Sequence, residues 1–139
     1  MKNFETYDIM VMAAAVADFT PLHRSKEKIK KQEDDFELRL VKTKDILARA
    51  GALKSESQTL IGFALETENE KINALRKLSH KNADMLVLNS LKDEGAGFGY
   101  STNKITIFDR KGNEYVYDTK SKKEVAVDII NTIIKYRSE

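Results

Sequence analysis

A nearly continuous apolar segment opens the chain and places the strongest constraint on its fold. The segment from Tyr7 to Val16 is apolar after Asp8 and rich in small residues, and Asp18 follows it. Strands of parallel sheets are buried on both faces and form such runs. The alanines also fit a buried helix, but Pro21 and the polar residues after Asp18 would end it early. We therefore predict a central strand with a carboxylate beyond its end.

Strand and helix patterns alternate along the rest of the chain. Further buried strands are predicted at Gln58–Leu65 and Asp84–Asn89. A first helix is predicted from about Lys44 to Leu53, with Thr43 as its cap. A second is predicted from Glu68 to about Lys81 and begins in the capping box Thr67–Glu70. A third follows the capping box Ser121–Glu124 and has an apolar stripe of Ala126, Ile129, Ile130, Ile133 and Ile134. Hairpins are predicted for Lys28–Lys31 with Phe36–Leu40, around the polar tip Gln32–Asp35, and for Lys104–Asp109 with Glu114–Asp118.

This alternation predicts an α/β fold, with a mostly parallel sheet and antiparallel hairpin additions, in one domain spanning residues 1–139. A Gly-rich strand–helix turn does not precede the first strand. We therefore expect that the first half of a doubly wound domain is missing from the chain.

Composition excludes several classes of protein. The net charge is only +2, which does not favour a nucleic-acid binder. The chain lacks cysteine, so disulfides and thiolate metal sites are excluded and a reducing cytoplasm is expected. The longest apolar run, Ile9–Ala17, is shorter than the ~20 residues of a membrane helix, and no signal peptide is predicted. His23 and His80 have no partners at metal-site or triad spacing, so no protein-built metal site is predicted.

A carboxylate and several lysines are candidates for a nucleotide site. Ligands gather at the carboxyl ends of strands in open α/β sheets. There Asp18 could accept from a ribose hydroxyl or a base amine, or help to hold Mg²⁺ on phosphates. A turn or cap residue is the alternative. Lysines 28, 30 and 31 could neutralise a triphosphate, but lysines also protect ordinary edge strands.

Lys77 and Lys81 are four residues apart and lie beside the apolar arc of a predicted helix. They could reach a ligand at the sheet edge, or they could simply flank the helix. The segment Gly95–Gly99 is not a GxGxxG motif and no helix follows it, so it is predicted to be an ordered loop.

Taken together and in order, these segments resemble the phosphopantothenoylcysteine synthetase family, also called phosphopantothenate–cysteine ligase. In bacteria this is the C-terminal half of a bifunctional coenzyme A biosynthesis protein. The segments that carry the resemblance are Met12–Asp18, Lys28–Lys31, Leu38–Leu40, Thr43–Leu47, Gly62–Thr67, Lys77, Lys81, Asp84–Asn89, Gly97–Gly99 and Asn103.

The resemblance implies a three-layer Rossmann- or ribokinase-like fold and a CTP-dependent ligase. Such a ligase activates 4′-phosphopantothenate as an acyl-cytidylate with Mg²⁺, and cysteine then displaces CMP. The implied partners are the substrates 4′-phosphopantothenate, cysteine and CTP, and a second subunit in a cytoplasmic homodimer. No nucleic acid or membrane partner is implied. FMN belongs only to the decarboxylase half, which the chain lacks. The implied nucleotide-binding residues are Met12, Ala13, Ala14, Asp18, Lys28, Lys44, Asp45, Ile46, Leu47, Phe63, Lys77 and Lys81.

The chain departs from the family in two places. The family commonly has Asn-Pro-Asp-Ile where this chain has Thr43-Lys44-Asp45-Ile46. The family's N-terminal portion, with a Gly-rich phosphate loop and an asparagine for the acyl intermediate, is also missing. Catalytic residues are therefore expected mainly outside the chain, and the fragment is expected to be inactive alone. The alternatives are a non-catalytic nucleotide-binding or dimerisation module and a carboxylate-activating ligase of another substrate.

Overall fold

The structure, a computed structural model, describes residues 4–30, 36–90 and 100–139. The chain divides into two compact units. The larger comprises Met1–Ala13 and Leu47–Glu139, and the smaller comprises Ala14–Ile46. The smaller unit is thus an insertion in the sequence of the larger one.

The helices and strands are short, apart from the last helix. In chain order the strands are β1 (Ile9–Met12), β2 (Phe19–Pro21), β3 (Leu40–Lys42), β4 (Thr59–Glu66), β5 (Met85–Ser90), β6 (Thr102–Asn103), β7 (Ile105–Asp109), β8 (Glu114–Val116) and β9 (Lys120–Ser121). The helices are α1 (Ile46–Leu53), α2 (Glu70–His80) and α3 (Lys122–Ser138), and a 3₁₀ turn spans Phe4–Thr6.

The larger unit contains a mixed five-stranded sheet in the order β1-β4-β5-β7-β8. Strands β1, β4 and β5 are parallel, and β7 and β8 add to them as an antiparallel hairpin. The predicted α/β class, with hairpin additions to parallel strands, is confirmed.

Helices cover both faces of this sheet, because successive side chains of a strand point to opposite faces. The first core packs two helices on one face of the sheet. It comprises Ala50 of α1, Ala74 and Leu78 of α2, Ala83 before β5, and Leu60, Ala64, Leu86, Leu88 and Phe108 of the strands. The second core comprises Ile61, Met85, Val87, Ile105 and Ile107 of the strands with Val125, Ile129 and Ile133 of α3. The result is three layers, with α1 and α2 on one face and α3 on the other.

The first strand differs from its prediction. β1 covers only Ile9–Met12, and Ile9 and Val11 are each 42% exposed. Among the described strands, β1 pairs only with β4 and forms one edge of the sheet. The prediction of a central strand buried on both faces is therefore wrong for this structure. The continuous apolar run therefore does not indicate that both faces of this strand are buried.

The hairpin predicted for Lys28–Lys31 with Phe36–Leu40 also differs from its prediction. Within the smaller unit, β3 pairs antiparallel with β2, with Phe19 opposite Lys42, and not with the lysine segment. Phe36 and Leu38 lie before β3 and are exposed. Lys31 and the predicted tip Gln32–Asp35 lie outside the described residues, as does the loop Gly95–Gly99.

Two of the three predicted helix caps are wrong. The N-cap of α2 is Asn69, which has a left-handed backbone (φ 48°) and makes no side-chain capping hydrogen bond. The Thr43 hydroxyl donates to the Ala17 carbonyl oxygen at 2.6 Å, and α1 begins only at Ile46. In α3, Ile129 and Ile133 are buried as predicted, but Ile130 and Ile134 are exposed.

The third cap is confirmed. The Glu124 N–H donates to Ser121 Oγ, and the Ser121 N–H donates to Glu124 Oε2 at 3.0 Å. The end of the same helix is fixed by Arg137, whose Nη1 donates to the Asp8 and Ser57 carbonyl oxygens and, at 2.9 Å, to Thr59 Oγ1. These contacts tie α3 to the starts of β1 and β4.

We expect Ser121→Ala to lower the free energy of unfolding by about 1 kcal/mol, because loss of a serine N-cap removes a partner of an unsatisfied backbone donor. Urea denaturation followed by circular dichroism measures this loss. Ser138→Ala is the matched control, because the Ser138 hydroxyl donates to the Lys135 carbonyl oxygen at the opposite end of α3 and caps no N-terminus. Equal losses in the two variants would contradict the capping role.

The cap also makes stability depend on pH. Hydrogen bonds from the Ser121 hydroxyl and then from the Ser121 N–H lower the pKa of Glu124. A carboxylate with a lowered pKa stabilises the fold above its unfolded pKa, and this stability is lost as the pH falls through the folded pKa. We therefore expect the Ser121→Ala penalty to shrink below about pH 4.

In the described part of the chain, no helix is long and apolar enough to cross a membrane.

Candidate functional site

The candidate site of the larger unit lies at the carboxyl ends of its parallel strands. Strands β1, β4 and β5 end at Met12, Glu66 and Ser90, and parallel pairing brings their ends to one edge. This edge is where open α/β sheets bind ligands.

Two predicted nucleotide-binding residues meet at Gly62. Met12 is the pairing partner of Gly62 in β4. A Cβ atom on Gly62 would lie only 2.6 Å from Leu47 Cδ2, so the Leu47 side chain of α1 packs directly on the glycine. Met12 and Leu47 are both half-buried against the first core. The structure therefore places these two residues together.

Phe63 lies on the opposite face of the sheet. It follows Gly62 in β4, so its side chain points toward α3, where it is half-buried against the second core. Asn89 lies on the same face, because its pairing partner is Leu65. The Asn89 Oδ1 atom is buried and accepts no hydrogen bond from any described residue. A buried polar atom without a partner is uncommon and marks a candidate ligand contact.

Lys77 forms an ion pair at the end of β4. Its Nζ lies 2.6 Å from Glu66 Oε1, in an ionic contact that does not have hydrogen-bond geometry. Asn73, one turn earlier in α2, donates from Nδ2 to Glu66 Oε2 at 3.3 Å and to the Glu68 carbonyl oxygen at 2.9 Å. The predicted cationic residue is thus held beside the strand end by a carboxylate.

Lys81 lies beyond α2, at its C-cap, where its N–H donates to the Lys77 carbonyl oxygen at 2.9 Å. The next residues lead to Asp84, which accepts from the Leu60 N–H at the start of β4. The main chain of Lys81 is therefore near the amino ends of the strands, whereas the Lys77 ammonium is at the carboxyl end. The two lysines were predicted to share a face of one helix. In the structure α2 ends at His80, so Lys77 lies within the helix and Lys81 lies just beyond it.

The smaller unit holds the other predicted residues: Ala14, Asp18, Lys28, Lys44, Asp45 and Ile46. The Thr43 N–H donates to the Asp18 carbonyl oxygen at 2.9 Å, so Asp18 and Lys44 are close neighbours. Lys28 follows a turn in which the Ser25 hydroxyl donates to the Glu27 carbonyl oxygen at 2.6 Å. Ala13, the last residue of the first segment of the larger unit, is exposed.

Two polar residues of this site received no role from the sequence, Glu66 and Asn89. Both lie at or next to the ends of otherwise apolar strands, in segments that match the family, and this position was their only signal in the sequence. The roles of the predicted residues stay predictions. No group of three or more potential metal-ligating side chains occurs within residues 4–30, 36–90 and 100–139.

Comparison with known proteins identifies the family. Residues 1–136 match the DNA/pantothenate metabolism flavoprotein C-terminal domain family. The chain belongs to this family. Its resemblance to the synthetase part of bifunctional coenzyme A biosynthesis proteins is thereby confirmed. The Bacillus subtilis (strain 168) coenzyme A biosynthesis bifunctional protein CoaBC is 42% identical over 133 residues, which are 96% of the chain and 32% of that protein.

A second relative, matched over a similar length, is named cysteine/cysteine sulfinic acid decarboxylase and comes from an unknown prokaryotic organism. It is 53% identical over 134 residues, which are 96% of the chain and 37% of that protein. The chain thus spans about a third of the length of these curated relatives.

Solved structures of the family share the fold. The crystal structure of the C-terminal domain of CoaBC superposes with a TM-score of 0.74 and 32% identity, over 95% of this chain and 56% of that one. The Streptococcus pneumoniae DNA/pantothenate metabolism flavoprotein has a TM-score of 0.71 at 19% identity, over 97% and 66% of the two chains, and supports the fold alone.

Proposed function

We propose that the chain supplies much of the nucleotide site of a CTP-dependent ligase of coenzyme A biosynthesis, which joins 4′-phosphopantothenate to cysteine. The observation that carries the proposal is the position of Met12 at the end of β1 and of Lys77 beside the end of β4, at the carboxyl ends of parallel strands, in a member of this family. The ammonium of Lys77 suits a phosphate, and Phe63 suits the base or sugar.

The chemistry requires an activated carboxylate. In the proposed reaction a carboxylate oxygen of 4′-phosphopantothenate attacks the α-phosphate of CTP, and pyrophosphate leaves. The amine of cysteine then attacks the acyl carbon, CMP leaves with the bonding electrons, and an amide forms. Positioned cations stabilise the charge that builds up on the phosphates.

In the proposed reaction Mg²⁺ would enter as an ion carried by the nucleotide. Mg²⁺ keeps several waters and takes one or two carboxylates together with substrate phosphates. The Asp18 carboxylate is the described group that we assign to it, and Mg²⁺ would neutralise phosphate charge there. Lys28 of the smaller unit and Lys77 of the larger unit are each proposed as phosphate contacts.

The proposal also assigns nucleotide binding and the later steps of ligation to different parts of the synthetase. The groups that handle the acyl intermediate are proposed to lie in the two thirds of the relatives that the chain does not span. The chain alone would then bind CTP without completing the ligation. A non-catalytic nucleotide-binding module would bind CTP in the same way but would not support ligation when combined with the remainder of a synthetase.

We expect Lys28→Ala to weaken CTP binding by about 1.5–3 kcal/mol, because a direct contact to phosphate is a hydrogen bond between charged groups. This is roughly a tenfold to hundredfold rise in Kd, measurable by calorimetry. Lys26→Ala is the matched control, since Lys26 is an exposed lysine of the same segment. If Lys28→Ala binds CTP as tightly as the control does, Lys28 is not part of the site. Repeating the titration with ATP and UTP gives the base preference.

We also propose that the chain forms a homodimer through its smaller unit. No described residue of that unit is buried, and its exposed apolar side chains include Phe19, Phe36, Leu38 and Leu40. A two-stranded hairpin is marginally stable alone and needs packing partners. A second copy that offers the same apolar surface would supply them.

Light scattering at increasing protein concentration tests this proposal. We expect a dimer for the unmodified chain and a monomer for Leu38→Asp. Leu75→Asp is the control, because Leu75 is exposed on α2 in the larger unit. A monomeric unmodified chain, or dissociation by both variants, would rule out a dimer through the smaller unit.

A further inference from the structure

Glu66 holds an unusual position for a charged residue. It ends β4 on the face that carries the first core, and its side chain is only 14% exposed, whereas that of Lys77 is 42% exposed. One carboxylate oxygen contacts Lys77 Nζ at 2.6 Å, and the other accepts from Asn73 Nδ2. Asn73 and Lys77 are one helical turn apart, so the carboxylate bridges two successive turns of α2.

Stability alone does not account for this arrangement. Removing a carboxylate from water is unfavourable, and an ion pair with a half-exposed lysine returns little net stability. The pair between Lys71 of the same helix and Glu114 shows the ordinary alternative, because both partners are well exposed, at 61% and 38%. What the Glu66 contact adds is a fixed location for one ammonium group at the carboxyl ends of β4 and β5.

We propose that Glu66 is a positioning residue that holds the Lys77 ammonium in place for the polyphosphate of a nucleotide. The proposal deepens the function proposed above and rests on it. A free lysine has many rotamers, and fixing them when a ligand binds costs conformational entropy. Glu66 supplies that order before the ligand arrives. The ammonium has three N–H donors, so it can contact Glu66 and a phosphate together.

Glu66 also places a negative charge near the proposed phosphates, which opposes binding. Lys77 neutralises this charge at contact distance, and Asn73 donates to the second oxygen. The proposal requires that the ordering of Lys77 outweigh the residual repulsion. Glu66→Gln, which keeps the size of the side chain and removes its charge, should accordingly weaken the binding of CTP rather than strengthen it.

A double-mutant cycle on nucleotide affinity tests this inference. Calorimetry should show that Glu66→Gln raises the Kd for CTP roughly three- to tenfold, which lies in the lower part of the range for coupling between contacting residues. CMP binding should change little, because CMP lacks the β- and γ-phosphates. In a Lys77→Met background, Glu66→Gln should have no further effect. An equal effect in both backgrounds, no effect, or tighter CTP binding would overturn the proposal.

A second measurement is independent of nucleotide binding. Nitrogen-15 NMR of lysine side chains in the ligand-free chain should show that Glu66→Gln shifts or broadens the Lys77 ammonium signal and leaves that of Lys71 unchanged. Glu114→Gln, the matched control, should affect Lys71 alone. An unchanged Lys77 signal overturns the positioning role. Failure of the unmodified chain to bind CTP, with the expected NMR result, instead overturns the proposed function and leaves Glu66 as an anchor of Lys77 alone.

Discussion

Asp84→Ala is expected to lower the free energy of unfolding of the larger unit by about 3–5 kcal/mol, because it leaves a buried lysine without its counter-charge. Asp84 Oδ1 lies 2.8 Å from Lys54 Nζ, and Oδ2 accepts from the Leu60 N–H at 2.8 Å. The side chains of Lys54 and Asp84 are only 6% and 9% exposed. The pair links the segment after α1 to the starts of β4 and β5.

Urea denaturation measures the loss, which is a large fraction of the 5–15 kcal/mol that typically stabilises a domain. Glu114→Ala is the control, since it breaks an exposed pair and should cost less than about 1 kcal/mol. The double variant Lys54→Met with Asp84→Ala should recover part of the stability, because the unpaired charge is gone and only the Leu60 N–H lacks its partner. A loss of less than 1 kcal/mol for Asp84→Ala would show that Lys54 reaches solvent when it is released.

Gly51→Ala is expected to lower the free energy of unfolding by about 3 kcal/mol, at the upper end of the usual cost of overpacking. A Cβ atom on Gly51 would lie 1.8 Å from the Lys81 carbonyl oxygen and 2.9 Å from its carbonyl carbon. The Gly51 carbonyl oxygen also accepts from Asn82 Nδ2 at 2.6 Å, which holds the two segments together. The backbone after α2 would have to move away from α1.

The sign of this effect is informative, because alanine normally stabilises the interior of a helix relative to glycine by about 0.5–1 kcal/mol. Gly62→Ala is the matched control. Its Cβ atom would lie 2.6 Å from Leu47 Cδ2, and this methyl group ends a flexible side chain that can rotate away. Thermal denaturation should therefore show a smaller loss for Gly62→Ala. A stabilised Gly51→Ala variant would show that α1 can shift without cost.

The elements predicted correctly are those whose pattern is local. The strands β4 and β5 are largely apolar runs, the β7–β8 hairpin has a turn at Gly112, and α3 has a capping box and helical periodicity. The errors concern elements whose partners are distant in sequence. The pairing of β3 with β2 depends on contacts across about 20 residues, and the exposure of β1 depends on its place in the sheet. Neither is encoded in a short window.

The same contrast between local patterns and distant contacts applies to the residues of the candidate site. Lys77 was a candidate because a lysine beside an apolar helical arc is visible in the sequence, and the family resemblance assigned it to the nucleotide site. Glu66 and Asn89 were missed because a polar residue after an apolar run usually only ends the strand. Their significance comes from the register, which places them at neighbouring strand ends on opposite faces of the sheet. The left-handed Asn69, which replaced the predicted cap of α2, likewise has no distinctive local pattern.

The contacts of Arg137 have a consequence for the order in which the protein assembles. Its guanidinium joins the Asp8 carbonyl oxygen to α3 across 129 residues of sequence. Contacts that are distant in sequence slow folding, because the intervening chain must be ordered first. At ribosomal rates of ≈ 5–20 residues per second, synthesis of that interval takes on the order of ten seconds. During that time β1 can pair with β4, but its start lacks the clamp that the last helical turn provides. The start of β1 therefore lacks this contact until the last turn of α3 has been synthesised, and chaperone dependence should be greatest in that interval.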